Sequence, residues 1–542
     1  MQHVPNRTLP LVLAGLLSAA SAWAQLDASG AQLLSAQLPG LPAGGDPLDG
    51  LGSSLAAGDF DGHGVDDLAI GIPFADQNGG TASDAGEVLV FYGSASGLAT
   101  DTAQAFSQES PGMSGLSQDG DLFAGSLAAG DFDGDDRDDL AVGSPGESVG
   151  AADGAGGLWL IPGSAGGLTS VGHQAFSQDS PGMGDSAETG DGFASSLAVG
   201  DFDGNGVEDL AVGSPFEDIR NLAAGGDQVD AGAIHVLYGS GTGLSGSGSL
   251  FLHRSTAGVN TQGGSGAQTA ERFGFSLAAG DLRGDGADDL AVGAPGQISS
   301  FELNAGAVQL LPGLIGIGID TGEDTSEAFS VGYDDRELGF AVAIADYNGD
   351  GFDDAVGGAP GWSTDDVLVE REGRLFALRS GGDVFPTIDC TGTDGSPEDA
   401  KEPFDRFGKV LARADFDRDG LDEVVVGVPD ENLDDAEPNP KLDAGNVQVL
   451  EGAPISCGVT GRQAWSLDSP GVPGVAVAND RFGEALAVGD FDGNGFDDLA
   501  VGIPHYDAAA VDDGAVLVLY NLGVFYDGFE SGGASAWGST LP

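Results

Sequence analysis

One pattern, repeated seven times, constrains this chain more than anything else in it. "GDFDGHGVDDLAIGIP" begins at Gly58, "GDFDGDDRDDLAVGSP" at Gly130, "GDFDGNGVEDLAVGSP" at Gly200 and "GDLRGDGADDLAVGAP" at Gly280. "ADYNGDGFDDAVGGAP" begins at Ala345, "ADFDRDGLDEVVVGVP" at Ala414 and "GDFDGNGFDDLAVGIP" at Gly489. The first Asp of each (Asp59, Asp131, Asp201, Asp281, Asp346, Asp415, Asp490) follows its predecessor by 72, 70, 80, 65, 69 and 75 residues. The 542 residues are therefore an array of one unit rather than a string of unlike domains.

Each unit carries short apolar runs bounded by Gly and Pro, too short for a typical helix. One precedes the Asp-rich turn ("FAGSLAAG"), one follows it ("DLAVGSP"), a third comes after a Gly/Asp loop ("GEVLVFYGS"), and several units add a fourth ("QAFSQESPGM" at Gln104). Four strands per unit predict an antiparallel blade. The fold expected is all-β: a seven-bladed β-propeller of four-stranded blades. The last unit lacks a fourth run after Tyr520, and "AQLLSAQLPG" (Ala31 to Gly40) stands spare at the start. The N-terminal strand is expected to complete the seventh blade and close the ring, removing a sheet edge.

The Asp-rich turns place oxygen donors at alternating positions 1, 3, 5 and 9, with a backbone carbonyl at 7. That spacing wraps Ca²⁺, which takes ~6–8 oxygens; without an ion the carboxylates repel. The predicted ligands are Asp59, Asp61, Val65 and Asp67; Asp131, Asp133, Asp135, Arg137 and Asp139; Asp201, Asp203, Asn205, Val207 and Asp209. They continue as Asp346, Asn348, Asp350, Phe352 and Asp354; Asp415, Asp417, Asp419, Leu421 and Glu423; Asp490, Asp492, Asn494, Phe496 and Asp498. Val65, Arg137, Val207, Phe352, Leu421 and Phe496 would each offer only the carbonyl. Gly at position 6 permits a left-handed backbone. The fourth loop has Arg283 at position 3, a permanent cation with no acceptor. It is expected to stand in for the ion, which leaves about six calcium ions per chain. His63, at position 5 of the first loop, is a poor Ca²⁺ ligand and is expected to make that site the weakest. The EF-hand pattern does not apply, because position 12 of the second unit is Val142, inside an apolar run.

"FGEALAVGDFDGNGFDDLAVGIP" (Phe482 to Pro504) resembles the FG-GAP repeat of the integrin α-subunit head. The Phe-Gly recurs at Phe273-Gly274 and Phe407-Gly408, and Gly-Ala-Pro at Gly293-Ala294-Pro295 and Gly358-Ala359-Pro360. The resemblance implies calcium in hairpin loops on a lower face and partner binding by loops of the upper face. The family is also widespread in secreted bacterial proteins.

Residues 1–24 read as a signal peptide, with Arg7, an apolar run from Leu9 to Leu17 and an Ala22-Trp23-Ala24 cleavage signature. Residues 25–525 are assigned to the propeller and 526–542 to a short tail. The expected location is secreted, extracellular, cell-surface or periplasmic, with no membrane span. Cys390 and Cys457 fall in connections of adjacent blades, where a disulfide is geometrically allowed; two free thiols are the alternative. Against 86 acidic residues stand 18 basic ones, a net charge of −68, which argues against nucleic acid as a partner. The function expected is a monomeric adhesion or scaffold module, not an enzyme, for an unidentified extracellular protein or glycan, a basic one being favoured. The alternative is a secreted hydrolase with acidic catalytic residues on an upper-face loop. One G-x-S-x-G match, Gly146 to Gly150, lacks the strand-to-helix setting of a nucleophile.

Overall fold

In the computed structural model, the runs on either side of each Asp-rich turn pair as an antiparallel hairpin in one register. Gly58 lies opposite Asp67, Gly130 opposite Asp139 and Gly200 opposite Asp209. The structure describes residues 26–35, 49–77, 79–221, 226–259, 266–297, 305–321, 327–329, 336–363, 373–378, 405–433, 440–450, 462–507 and 512–523. Cys390, Cys457, residues 1–24 and the 526–542 tail lie outside them.

Seven antiparallel sheets form seven blades. Blade 1 comprises Ser54–Gly58, Asp67–Ile72, Glu87–Tyr92 and Ala99–Phe106. Blade 2 comprises Ser126–Gly130, Asp139–Ser144, Gly157–Ile161 and Gln174–Phe176. Blade 3 comprises Ser196–Gly200, Asp209–Ser214, Ala233–Tyr238 and Ser245–Leu252. Blade 4 comprises Leu277–Gly280, Asp289–Ala294, Ala307–Leu311 and Glu327–Phe329. Blade 5 shows three strands among the described residues: Ala341–Ala345, Asp354–Gly358 and Leu375–Leu378. Blade 6 comprises Val410–Ala414, Glu423–Val428, Asn446–Leu450 and Arg462–Trp465. Blade 7 comprises Leu486–Gly489, Asp498–Ile503 and Ala515–Tyr520, and its outer strand is Asp27–Ser35. That N-terminal strand pairs antiparallel with Ala515–Tyr520, Gln32 facing Val518 and Ser35 facing Ala515.

The strand begins earlier than the expected Ala31, and residues 36–40 of the expected run lie outside the described set. The fourth runs are also shorter than expected. In blade 1 the strand stops at Phe106, and "SQESPGM" is a turn closed by Ser110 N–H to Ser107 O at 3.0 Å and Met113 N–H to Ser110 O at 2.9 Å. Hydroxyl turns and a proline without an N–H end the ladder there.

The core lies between blades rather than within them. Each apolar cluster joins two neighbours: Phe60, Val88 and Phe123 with Leu140 across blades 1 and 2, or Phe132 and Leu158 with Phe193 and Leu210 across blades 2 and 3. The series returns to its start, with Phe491 and Val516 of blade 7 packed among Leu55, Leu68 and Leu89 of blade 1. Small residues in the second strands permit this closeness. A Cβ on Gly143 would lie 2.3 Å from the Ala194 carbonyl of the next blade, so this glycine is required by approach rather than by conformation.

Candidate metal centres

The Asp-rich hairpins all emerge at the same end of their blades, between the first and second strands; this is the lower face. The backbone turns left-handed twice in each. Position 6 has φ near 85° at Gly64, Gly206, Gly286, Gly351, Gly420 and Gly495, and Asp136 adopts φ 65° in the second loop. Position 4 is also left-handed, from Gly62 at 72° to Arg418 at 55°.

Those turns wrap the loop around its first carboxylate. Asp59 accepts from His63 N–H at 3.0 Å and Gly64 N–H at 2.7 Å; Asp201 and Asp490 do the same with Asn205 and Gly206, and with Asn494 and Gly495. Position 9 opens the second strand and is buried. Asp67 accepts from Phe60 N–H at 3.0 Å and Gly93 N–H at 2.8 Å, and Asp209 and Asp498 repeat the arrangement. Burial pushes Asp67, Asp139 and Asp209 up to about 7, Asp498 to about 8 and Glu423 to about 9, with neighbouring loop carboxylates adding to the shift.

In three of the loops, three of the predicted donor side chains converge. Carboxylate oxygens of Asp131, Asp133 and Asp135 lie within 4.8 Å of one another, as do those of Asp415, Asp417 and Asp419, and of Asp201, Asp203 and Asp209. Asp59 and Asp61 converge with His63, whose Nδ1 contacts Asp61 and whose Nε2 lies 3.2 Å from Gly93 O. In the fifth loop Asn348 Nδ2 donates to Asp354 Oδ2 at 2.5 Å. These loops fit a hard cation: their donors are nearly all oxygen, and Asp133 Oδ1 and Asp415 Oδ1 are buried without a hydrogen-bond partner. The fourth loop differs. Arg283 folds inward, its Nη2 3.0 Å from Asp289 Oδ1 and 3.1 Å from Asp285 Oδ2.

Position 7 does more than offer a carbonyl. Except in the fourth loop, its side chain packs on position 4 of the preceding blade's loop, so that a Cβ on Gly284 would lie 2.5 Å from the Phe352 ring and one on Gly349 2.4 Å from Leu421. Where position 4 is Arg418, its guanidinium stacks 4.9 Å over Phe496.

The acid at position 8 was not singled out by the spacing argument, and the structure gives it a distinct task. It clasps the preceding blade. Asp138 accepts from Asp59 N–H at 2.9 Å, Glu208 from Asp131 at 2.7 Å, Asp288 from Asp201 at 2.9 Å and Asp353 from Asp281 at 2.9 Å. Asp422, Asp497 and Asp66 do the same for Asp346, Asp415 and Asp490. The signal was an acid at this position in every unit. Toward the other end, Ser54, Ser126, Ser196 and Ser276 donate to backbone carbonyls of the next blade at 2.6–2.9 Å.

On that upper face the turns of blades 7, 1 and 2 enclose a cavity of about 550 Å³ lined by Phe74, Asp84, Arg481, Glu484, His505 and Asp512, among others.

Comparison with known proteins places this geometry. The FG-GAP repeat family matches residues 51–91, 123–161, 193–237, 273–311 and 482–519. The fifth and sixth units lie outside those ranges yet form the same hairpins. Integrin alpha-5 of Xenopus laevis is 29% identical over 254 residues, 45% of this chain and 21% of the relative. Integrin alpha-PS2 of Drosophila melanogaster is 30% identical over 234 residues, 42% of this chain and 15% of the relative. Phosphatidylinositol-glycan-specific phospholipase D of Rattus norvegicus is 31% identical over 202 residues, 36% and 22% respectively. The matches thus span about a fifth of these relatives' length. Among solved structures, rhamnogalacturonan lyase YesW aligns with 92% of this chain and 76% of its own at 14% identity and a TM-score of 0.45.

Proposed function

Since the chain is an FG-GAP β-propeller of the integrin-α-like kind, we propose that it is an exported, calcium-stabilised module that binds a macromolecular partner on its upper face. The observation that carries the calcium half is Arg283. A chain-borne cation occupies the one loop whose third position lacks an oxygen donor, and it reaches the carboxylates an ion would meet. In the other loops the side-chain oxygens of positions 1, 3, 5 and 9, all but His63 of the first loop being oxygen donors, would hold the ion, which supplies the charge that lets the carboxylates converge. The chain's residues supply the rest: position 1 orders the loop, position 9 ties it to the end of the third strand, and position 8 ties it to the neighbouring blade.

The upper-face cavity supports the binding half, because it mixes the exposed ring of Phe74 with Arg481, Glu484 and the His505–Asp512 pair. Among the described residues, no helix is long and apolar enough to cross a membrane. The net charge of −68 favours a basic partner. Immobilised protein in calcium should capture a ligand from the extracellular fraction of its source. Phe74→Asp with Arg481→Glu should abolish capture, while Val171→Asp, at an exposed turn on the lower face, should not. Capture insensitive to the upper-face pair would contradict the reading. Turnover of a polymer abolished by Glu484→Gln would replace it with the hydrolase alternative.

A further inference from the structure

On the upper side, each blade junction brings three equivalent positions together: one in the turn after a fourth strand, one two residues before the residue at the Phe position of the Phe-Gly motif, and one three residues past the next second strand. At the junction of blades 1 and 2 these are Gln108, Asp121 and Glu147. At blades 2 and 3 they are Gln178, Asp191 and Glu217; at blades 3 and 4, Arg254, Glu271 and Gln297.

The third junction balances its own charge. Arg254 Nη1 lies 3.3 Å from Glu271 Oε1 and donates to Gln297 Oε1 at 2.9 Å, with Arg254 3% and Glu271 0% exposed. Where the chain supplies a cation, it carries one carboxylate and an amide. The second junction carries two carboxylates and, among the described residues, no Lys or Arg pairs with either. Asp191 and Glu217 are each 2% exposed. Two more carboxylates join them: oxygens of Glu188, Asp191 and Glu217 all lie within 4.8 Å of one another, and the Asp185 side chain hydrogen-bonds to Glu217. The Gln178 amide points into the group, donating from Nε2 to Glu217 Oε2 at 2.6 Å. Its Oε1 has no hydrogen-bond partner although Gln178 is only 1% exposed. Gln108 Oε1 is orphaned in the same way beside Glu147.

Buried carboxylates without counter-charge are strongly unfavourable, and a buried amide oxygen without a partner calls for a ligand. We propose that the junction of blades 2 and 3 holds a divalent, oxygen-seeking cation of the calcium class, bound by Glu188, Asp191 and Glu217 with Gln178 Oε1 as a neutral ligand. Oxygens at ~2.3–2.6 Å from one ion can stand up to about 5 Å apart, which matches the observed grouping. This site is independent of the hairpins and pins two blades at their opposite ends.

The test copies the third junction into the second. In Gln178→Arg/Glu217→Gln the chain supplies the cation, so calcium-equilibrated full-length protein should bind one ion fewer than the unmodified protein. Equal counts would overturn the proposal in favour of a proton shared by the two acids. Should the double variant not fold, Glu188→Gln at the exposed rim should weaken one site roughly tenfold. A calcium isotherm of that variant superimposable on the unmodified one would also overturn it. The hairpins are read separately through Asp201→Asn; if they bind nothing, the starting count is lower but still falls by one in the double variant.

Discussion

Asp490 and Asp66 stand 424 positions apart and hold each other by two hydrogen bonds: Asp490 N–H donates to Asp66 Oδ2 at 2.8 Å, and Asp66 N–H returns one to Asp490 O at 3.1 Å. The same exchange joins Asp59 to Asp138 between blades 1 and 2. The seam where the ring begins and ends is therefore bonded like an ordinary junction. Tyr520 repeats the point, its hydroxyl accepting from Leu98 N–H at 2.9 Å as Tyr92 accepts from Leu168 N–H at 2.9 Å.

Removing the Asp66 carboxylate should cost about 1–3 kcal/mol, because it leaves a partly buried N–H without an acceptor. Asp138→Ala should cost a similar amount. Denaturant titration of both variants checks this. A cost for Asp138→Ala with none for Asp66→Ala would mean that the seam is not closed in solution.

Arg283→Asp should raise bound calcium by one ion per chain and make the fourth loop sensitive to chelator. The variant restores an oxygen donor at position 3 and removes a cation that now touches Asp285 and Asp289. Metal analysis of both proteins, equilibrated side by side, gives the difference. No gain in the variant would mean that Arg283 is not what keeps an ion from this loop.

The wrapped shape of the hairpin loops was legible because its meaning is local: donors at positions 1, 3, 5 and 9 describe a wrapping loop within one unit. Asp66, Asp138 and Glu208 were not, although each stands directly before a predicted ligand, because their partners lie in another unit. Spacing inside a repeat carries no information about which surface meets the next repeat. The pairing of Phe352 with Gly284 was hidden for the same reason. Arg254 became interpretable only once Glu271 and Gln297 were seen beside it. An all-β, seven-fold fold could be read from period and punctuation, whereas strand ends such as Phe106 depend on hydroxyl turns that resemble strand in composition.

The metal-free protein should lose stability as pH rises. Burial pushes Asp67, Asp139 and Asp209 up to about 7, Asp498 to about 8 and Glu423 to about 9. A carboxyl raised above its unfolded value of ~4 contributes in full below that value and loses its contribution as pH climbs through the folded one. In chelator, the melting midpoint should fall between pH 5 and pH 8 by on the order of 10 °C. Saturating calcium should flatten or reverse that slope, because ligands must be ionised to bind. A midpoint that rises with pH in chelator would refute the assignment.

The most direct measurement is the melting midpoint at pH 7.5 with saturating calcium and again with excess chelator. An ion that binds only the folded state contributes about 2.7 kcal/mol at a hundredfold excess over its dissociation constant, and sites in six hairpins act on one ring. The account predicts a single cooperative transition that drops by roughly 10 °C or more on chelation and returns when calcium is restored. An identical midpoint in both conditions would contradict it.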